Sequence, residues 1–209
     1  LDGSTCDCCQ TDAALSAAGP VLVYRDRDQD ELRDIAIVRQ LGAGAAVRWS
    51  APALVHADRW KMPACPVNGP AVDARGARDY VAWYTGAGAA PSIRLARSDD
   101  SGGRFGAPLQ LAAGPEVLGR VDVQAVPGAA WVSWLREDVA GGQSLWLARI
   151  ADSAAGEAAA DAQQVATLQV RGRASGFPRM AVQGAVAHLV WTDVVDGAPR
   201  LRGARVRLD

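Results

Sequence analysis

The chain has 209 residues, enough to bury a core as one large domain or two small ones. Its 22 Lys and Arg residues nearly balance its 23 Asp and Glu residues, so it lacks the basic field that nucleic-acid binding requires. No apolar run approaches the roughly 20 residues of a membrane-spanning helix, and the sequence therefore predicts no transmembrane segment.

Four similar segments recur along the chain, each an apolar strand that ends in an aromatic and a polar residue. They read VLVYRD at 21–26, YVAWYT at 80–85, WVSWLRE at 131–137 and HLVWTD at 188–193. Their aligned aromatic residues are separated by 59, 51 and 57 residues, the size of one four-stranded sheet with its turns. A short apolar strand precedes each segment and an alternating strand follows it, so the aromatic strand is second in its unit and is expected to be the most buried.

These units predict an all-β fold, a β-propeller of four-stranded antiparallel blades, with about four blades in a single region over 1–209. The predicted blades cover approximately 11–57, 70–112, 120–170 and 177–209. The last unit is one strand short, so we expect an upstream segment or a second chain to close the ring; a self-contained ring of four blades is the alternative. The Ala-rich stretch at 151–164 is expected to form a loop or a short surface helix.

A turn between two predicted strands of the second blade carries a recognisable pattern. Residues 98–105 read SDDSGGRF, which fits S-x-D-x-G-x-x-[WF]. Together with the repeat, this string resembles the Asp-box (BNR) repeats of sialidase-like propellers over nearly the whole chain, in a bacterial branch with CDCC near the N terminus. The resemblance implies a six-bladed ring. Structural roles are expected for Ser98, Asp100, Gly102 and Phe105, with Asp100 accepting backbone N–H bonds, Gly102 adopting positive φ and Phe105 wedging between sheets.

The resemblance also sorts the loops into two faces. Loops that enter each blade share a ligand face with the loops between second and third strands, opposite the Asp boxes, and this face includes 56–69, 114–120 and 170–179. Candidate ligand-binding residues there are Arg120, Arg179, Arg25, Arg27 and Asn68. Arg120 and Arg179 are expected in equivalent places at the starts of first strands, near the central channel. For the charged loop 25–33 the alternative is that its arginines pair with neighbouring carboxylates.

Three of the four cysteines lie within the string CDCC, and the fourth, Cys65, is expected to meet them on the ligand face. One interpretation is disulfide bonding, with Cys65 joined to Cys6, Cys8 or Cys9 and the other two close together. Another is a soft thiolate site for copper or zinc, to which His56 could contribute. Inert thiols are a third.

Sialidases bind the substrate carboxylate with three arginines and use a tyrosine nucleophile with an aspartate as acid/base. This chain has no tyrosine in its late blades and no R-I-P motif. We therefore expect a periplasmic or secreted binding module for an anionic glycan or another small carboxylate, without hydrolytic activity. The alternatives are a thiolate metal-binding envelope protein and an exo-glycosidase of sialidase type with part of its active site on other sequence.

Overall fold

The computed structural model describes residues 1–42, 44–138, 141–153, 162–169 and 176–208. Alternating apolar residues produce strands with one face toward each neighbouring blade, since side chains of a strand point to opposite sides in turn. Blade one contains β1 Asp12–Ser16, β2 Gly19–Arg25, β3 Ile35–Leu41, β4 Arg48–Trp49 and β5 Ala53–His56. In this blade β3 pairs with both β4 and β5, and one 3₁₀ turn spans Gly44–Ala46.

The next two blades are four-stranded antiparallel sheets. Blade two contains β6 Ala71–Arg75, β7 Arg78–Thr85, β8 Ser92–Ser98 and β9 Leu109–Ala113. Blade three contains β10 Val117–Val126, β11 Ala129–Glu137, β12 Gln143–Ala151 and β13 Gln163–Leu168. Blade four contains β14 Arg179–Gln183, β15 Val186–Val195 and β16 Ala198–Arg207. The predicted all-β propeller with about four blades in this chain is confirmed.

Apolar clusters between successive blades form the core. Ile35 and Val55 of blade one pack with Trp83 of blade two, and Ile93 of blade two packs with Trp134 of blade three. Trp191 of blade four closes the third cluster against blade three. The aligned aromatic residues Tyr24, Trp83, Trp134 and Trp191 are 6%, 1%, 1% and 7% exposed. Each such buried side chain contributes roughly 1.5–3 kcal/mol to the free energy of unfolding.

The first strand of each blade lies against the first strand of the next. Since these strands belong to separate sheets, carboxylates replace the missing ladder bonds between them. Asp12 accepts a bond from the Val72 N–H at 3.0 Å, and Asp73 accepts one from the Ala125 N–H at 2.7 Å. Asp122 likewise accepts a bond from the N–H of Met180 at 2.6 Å. The inner strands are thus joined blade to blade, and we call the region that β1, β6, β10 and β14 border the channel.

The outer faces of the end blades are open to solvent. Leu15 of blade one is 76% exposed, and Val190 and Leu201 of blade four are 45% and 77% exposed. Among the described residues no strand pairs with the outer edge of β16. Closure by an upstream segment or a second chain stays a prediction.

Two predicted features fall partly on residues that are not described. Residues 154–161 of the Ala-rich stretch and 170–175 of the loop entering blade four lie outside the described part of the chain. Within that part, no helix is long and apolar enough to cross a membrane.

Candidate functional site

The loops above blades one and two form a layer around one buried guanidinium. Arg25 ends β2 and is 1% exposed. Its Nε donates to the Asn68 carbonyl at 2.7 Å and its Nη1 to the Arg33 carbonyl at 2.5 Å. Its Nη2 donates to the Tyr84 carbonyl at 2.7 Å. Because the three carbonyls come from separate parts of the chain, Arg25 joins the loops of blades one and two, and we call residues 25–34 and 57–69 with their contacts the loop layer.

Burial of Arg25 is incompatible with the ligand-binding role that the sequence suggested. Its guanidinium stacks on the Trp60 ring, with Cζ 4.9 Å from the ring centroid. Burial lowers the pKa of Arg25, an effect that the nearby Cys9, Cys6 and Asp58 oppose. A guanidinium removed from water must have hydrogen-bond partners inside the protein. Arg25 therefore joins loops, but it does so through backbone carbonyls and not through the neighbouring carboxylates that the alternative proposed.

Asn68 is also a structural residue rather than a ligand contact. Its side chain is buried, with Oδ1 accepting the Arg120 N–H at 2.9 Å and Nδ2 donating to the Leu118 carbonyl at 3.1 Å. Gly119 permits this approach, since a Cβ there would lie 2.3 Å from Asn68 Oδ1 and its φ is 86°. Asn68 thereby fixes the loop layer to the start of blade three.

Arg120 lies at an irregularity of β10 and differs from its predicted position. It has φ 57° and is 9% exposed. Its Nη1 donates to the Gly176 carbonyl at 2.8 Å, and its Cζ lies 4.4 Å from the centroid of the Phe177 ring. The side chain thus supports the segment entering blade four. The residue equivalent to Arg179 is Asp122, since both pair with the residue directly before the blade's aromatic.

Arg27 is exposed but already paired. Its Nη2 contacts Glu31 at 2.7 Å, and a groove of about 560 Å³ beside it is lined by the carboxylates of Asp2, Asp26, Asp28 and Glu31. Such a groove repels anions, so the pairing alternative for the charged loop also describes Arg27.

Arg179 is the candidate arginine that reaches the channel in an exposed state. Its side chain is 52% exposed, with Nε 3.6 Å from Asp122 and Nη2 3.7 Å from Asp12. These distances exceed normal hydrogen bonds of roughly 2.7–3.2 Å. The guanidinium of blade four therefore lies between carboxylates of blades three and one without a short bond to either.

The two carboxylates differ in exposure. The Asp122 side chain is 2% exposed and that of Asp12 is 16% exposed. Burial raises the pKa of Asp122 to about 6, although Arg179 and the Met180 N–H act in the opposite direction. Sequence reasoning missed both residues. An Asp at equivalent positions of two first strands, in TDAALS and RVDVQ, was the signal that could have found them.

The turn at 98–105 has the geometry of a self-capped hairpin. Asp100 Oδ1 accepts bonds from Ser98 Oγ and from the Arg104 N–H, each at 2.8 Å. These donors lower the pKa of Asp100, with Ser98 having the largest effect. Gly102 has φ 75°, and Phe105 packs against the cluster between blades one and two. Asp100 thus serves its own turn.

His56 lies apart from the cysteines, beside Trp83 and Asp58. Its Nε2 is 3.8 Å from Asp58, a carboxylate that also accepts bonds from Trp83 Nε1 at 2.6 Å and Arg94 at 2.5 Å. In the described part of the chain, the group of close potential metal ligands contains Cys6, Cys8 and Cys9 but not His56. The suggested role of His56 as a ligand of that group is therefore corrected.

The cysteines meet as predicted, with Cys65 bonded to one of the three. The disulfide joins Cys8 to Cys65, while Cys6 and Cys9 are free thiols. Cys6 Sγ lies 3.0 Å from Cys9 Sγ and 3.5 Å from Cys8 Sγ. Since the disulfide uses two of the four sulfurs, a soft metal ion would find two thiols here, not the four thiolates considered from sequence.

No family model matches the chain, and no curated protein matches it in sequence. Among solved structures, the phage phi92 endosialidase is similar with a TM-score of 0.67 and 11% identity, over 96% of this chain and 36% of that one. The Bacteroides ovatus xyloglucan PUL GH43B is similar with a TM-score of 0.53 and 14% identity, over 99% of this chain and 39% of that one. The chain thus spans less than two-fifths of either protein. At these identities the likeness shows the fold alone, a β-propeller.

Proposed function

We propose that this propeller binds a carbohydrate that carries a carboxylate, with Arg179 as the anion contact at the channel. The observation that supports this proposal is the state of its guanidinium, which is half exposed and has no short bond to Asp12 or Asp122. A carboxylate can accept two parallel N–H bonds from such a group. Arg25 and Arg120 hold the surrounding loops and do not contact the ligand.

Two further features favour a carbohydrate. The channel combines carboxylates and a guanidinium, which together offer both acceptors and donors to hydroxyl groups. The endosialidase and the GH43 protein that share the fold have names that refer to glycans. The Cys8–Cys65 disulfide favours an oxidising compartment, in agreement with a periplasmic or secreted protein.

The experiment is calorimetric titration of the protein with oligosialic acid and with a neutral oligosaccharide of similar length. We expect binding of the acidic glycan to weaken at least about tenfold in Arg179→Gln, the loss expected for a charge-assisted pair. Arg202→Gln is the matched control, since Arg202 is an exposed arginine of the same blade on β16. Equal affinity of Arg179→Gln and the parent protein, or preference for the neutral glycan, would contradict the proposal.

The neighbouring acid gives the binding a pH dependence. The pKa of Asp122 is about 6, so its negative charge near Arg179 is lost as the pH falls through this value. Affinity for an anionic glycan should therefore rise between pH 7 and pH 5. In Asp122→Asn the affinity should be higher at pH 7 and nearly independent of pH over this range.

A glycoside hydrolase is the second candidate, favoured by two carboxylates that contact one guanidinium in the channel. Most glycosidases use a pair of carboxyl groups, of which one has a raised pKa and acts as the acid, and sialidases replace the second with a tyrosine. Asp122 has such a pKa. Release of fluorophore from a fluorogenic sialoside that disappears in Asp122→Asn would support hydrolysis. Binding of oligosialic acid without turnover would contradict hydrolysis and support the function of a binding module.

A further inference from the structure

The four cysteine sulfurs form one continuous set in which Cys6 occupies the central place. Its Sγ is 3.0 Å from the thiol of Cys9 and 3.5 Å from the disulfide sulfur of Cys8. One free thiol therefore touches both a second thiol and a disulfide. This is the arrangement that thiol–disulfide exchange requires, since a thiolate must reach a disulfide sulfur directly.

The segments that carry these sulfurs are held firmly together. The Cys6 N–H donates to the Arg25 carbonyl at 2.9 Å, and Thr5 pairs with Asp26 in a β-bridge. Gln10 exchanges two bonds with the backbone of Gly69, at 2.9 and 3.3 Å. The segment that contains CDCC and the loop that contains Cys65 are thus bonded to each other and to the loop layer. We therefore expect the sulfur atoms to stay within reach of one another whichever pair is bonded.

The two possible disulfides differ in their access to solvent. Cys6 is 5% exposed and Cys9 is half-buried, whereas Cys65 belongs to an exposed stretch of the loop layer. A disulfide between Cys8 and Cys65 is therefore at the surface, and one between Cys6 and Cys9 would be inside. Moving the bond inward would present the Cys65 thiol to solvent.

One charged group, the guanidinium of Arg25, lies beside the two free thiols. The buried guanidinium of Arg25 is in hydrogen-bonding contact with Cys9 and close to Cys6. A neighbouring cation stabilises a thiolate. Burial and the contact with Cys6 raise the pKa of Cys9 to about 11, so Cys9 keeps its proton at neutral pH and can donate it toward the Cys6 sulfur.

We propose that the four cysteines form a thiol–disulfide exchange site, in which Cys6 transfers the disulfide between the surface pair Cys8–Cys65 and the inner pair Cys6–Cys9. The Cys6 thiolate attacks Cys8 Sγ, the Cys6–Cys8 bond forms, and Cys65 leaves as a thiolate that takes up the proton lost by Cys6. Cys9 then loses its proton and attacks Cys6, and Cys8 leaves and is protonated. One disulfide and two thiols are present before and after, so no external oxidant or reductant is consumed.

The substrate class is an external disulfide or dithiol. In the rearranged isomer, Cys65 attacks an external disulfide and releases its first thiol, and Cys8 then attacks Cys65 and releases the second. The protein ends with two disulfides, and the external disulfide is reduced to two thiols. An external dithiol reverses these steps.

The internal step can be tested by alkylation in buffer without added thiol. The starting protein is the full chain with two free thiols, and the alkylating agent is N-ethylmaleimide. Trypsin cuts after Arg25, Lys61 and Arg75, so Cys65 leaves in the peptide 62–75 and the other cysteines in the peptide 1–25. The parent protein should accumulate labelled Cys65 in the free peptide 62–75, faster than the minutes to hours of uncatalysed rearrangement.

Two matched variants identify the attacking thiol. Cys6→Ser should keep the peptides 1–25 and 62–75 cross-linked throughout, whereas Cys9→Ser should still release labelled Cys65 through the Cys6–Cys8 bond. Circular dichroism verifies that each variant folds. If Cys6→Ser does not fold, Cys9→Ser still provides a readout, since Cys9 is less buried. Permanent cross-linking in both the parent protein and Cys9→Ser would overturn the proposal, as would equal release of Cys65 in Cys6→Ser.

Oxidised glutathione tests the external step. The parent protein should lose two thiols, gain a second disulfide and release two equivalents of glutathione without a lasting adduct. A permanent glutathione adduct would overturn the proposal. Stoichiometric binding of Cu(I) or Zn(II) that protects Cys6 and Cys9 from alkylation, with Cys8–Cys65 unmoved, would also overturn it.

Discussion

Arg25 and Arg179 are two arginines of similar sequence setting whose side chains have opposite surroundings. Each lies at an end of a blade strand on the predicted ligand face. Arg25 is 1% exposed and donates to three carbonyls of the loop layer. Arg179 has a side chain that is 52% exposed and two long carboxylate contacts. The difference shows that an arginine is buried where loop carbonyls can accept bonds from each of its side-chain nitrogens, and stays half exposed where its close partners in the described part of the chain are two carboxylates at 3.6 and 3.7 Å.

Replacement of Arg25 should have the largest effect on stability. In Arg25→Met the carbonyls of Asn68, Arg33 and Tyr84 lose their buried donors. We expect the free energy of unfolding to fall by about 3–5 kcal/mol. Urea denaturation followed by tryptophan fluorescence measures it. Arg27→Met is the control and should leave stability almost unchanged, since its pair with Glu31 is exposed. Similar losses in the two variants would remove the distinction between the loop layer and a solvated loop.

Replacement of Asn68 should have the next largest effect on stability. Its removal in Asn68→Ala leaves the N–H of Arg120 and the carbonyl of Leu118 without their side-chain partner. Unsatisfied buried groups cost roughly 1–3 kcal/mol, and we expect a loss of about 2 kcal/mol. Thermal unfolding is a suitable measurement, with the exposed Gln29→Ala as control. A loss no larger than that of the control would mean that the loop layer does not support blade three through this side chain.

Replacement of Asp122 should have an effect of similar size that depends on pH. Its pKa is raised from 3.8 to about 6, so the folded state binds the proton more tightly than the unfolded state does. This stabilisation is full below pH 4 and is lost as the pH rises through about 6. As the pH rises from 4 to 7, the parent protein should therefore lose about 1–3 kcal/mol of stability that Asp122→Asn does not lose. Denaturation at several pH values measures this, and a constant difference would contradict it.

Arg179 should have the smallest effect on stability. Arg179→Gln should change the free energy of unfolding by less than about 1 kcal/mol, since the side chain of Arg179 is 52% exposed and its contacts with Asp12 and Asp122 are longer than hydrogen bonds. It should also raise the pKa of Asp122 further, because the guanidinium holds that pKa down. Carbon-detected NMR titration measures the pKa of the Asp122 carboxyl. Asp73 is the control, since its pKa depends on burial and backbone bonds. A strongly destabilised Arg179→Gln would place Arg179 with Arg25 among the structural arginines.

Much of the fold was predictable because it depends on local patterns. The period-two alternation and the aromatic second strands predicted blades whose aligned aromatics are buried. The turn at 98–105 was predictable for the same reason, since Ser98, Asp100 and Arg104 bond within a few residues of one another. The meeting of Cys65 with CDCC followed from the loops that the resemblance to sialidase-like propellers placed on one face.

The site residues were less predictable because their partners are distant in sequence. Arg25 bonds to carbonyls 43 and 59 residues away. Arg120 has φ 57° and lies at an irregularity of β10, so counting along the strand gave it the place that Asp122 occupies. Nothing local to Asp12 or Asp122 indicated that Arg179 would lie between them.

By itself, the sequence determined the repeated blades and the capped turn, because strand alternation and turn chemistry act over short distances. The proximity of Cys65 to CDCC, 57 residues away, followed from the propeller resemblance, which placed their loops on one face. Tertiary structure decided which arginine is buried, which lies in the channel and which cysteine bonds to Cys65. Those outcomes depend on burial and on hydrogen-bond geometry between loops of different blades, which exist only once the blades have packed.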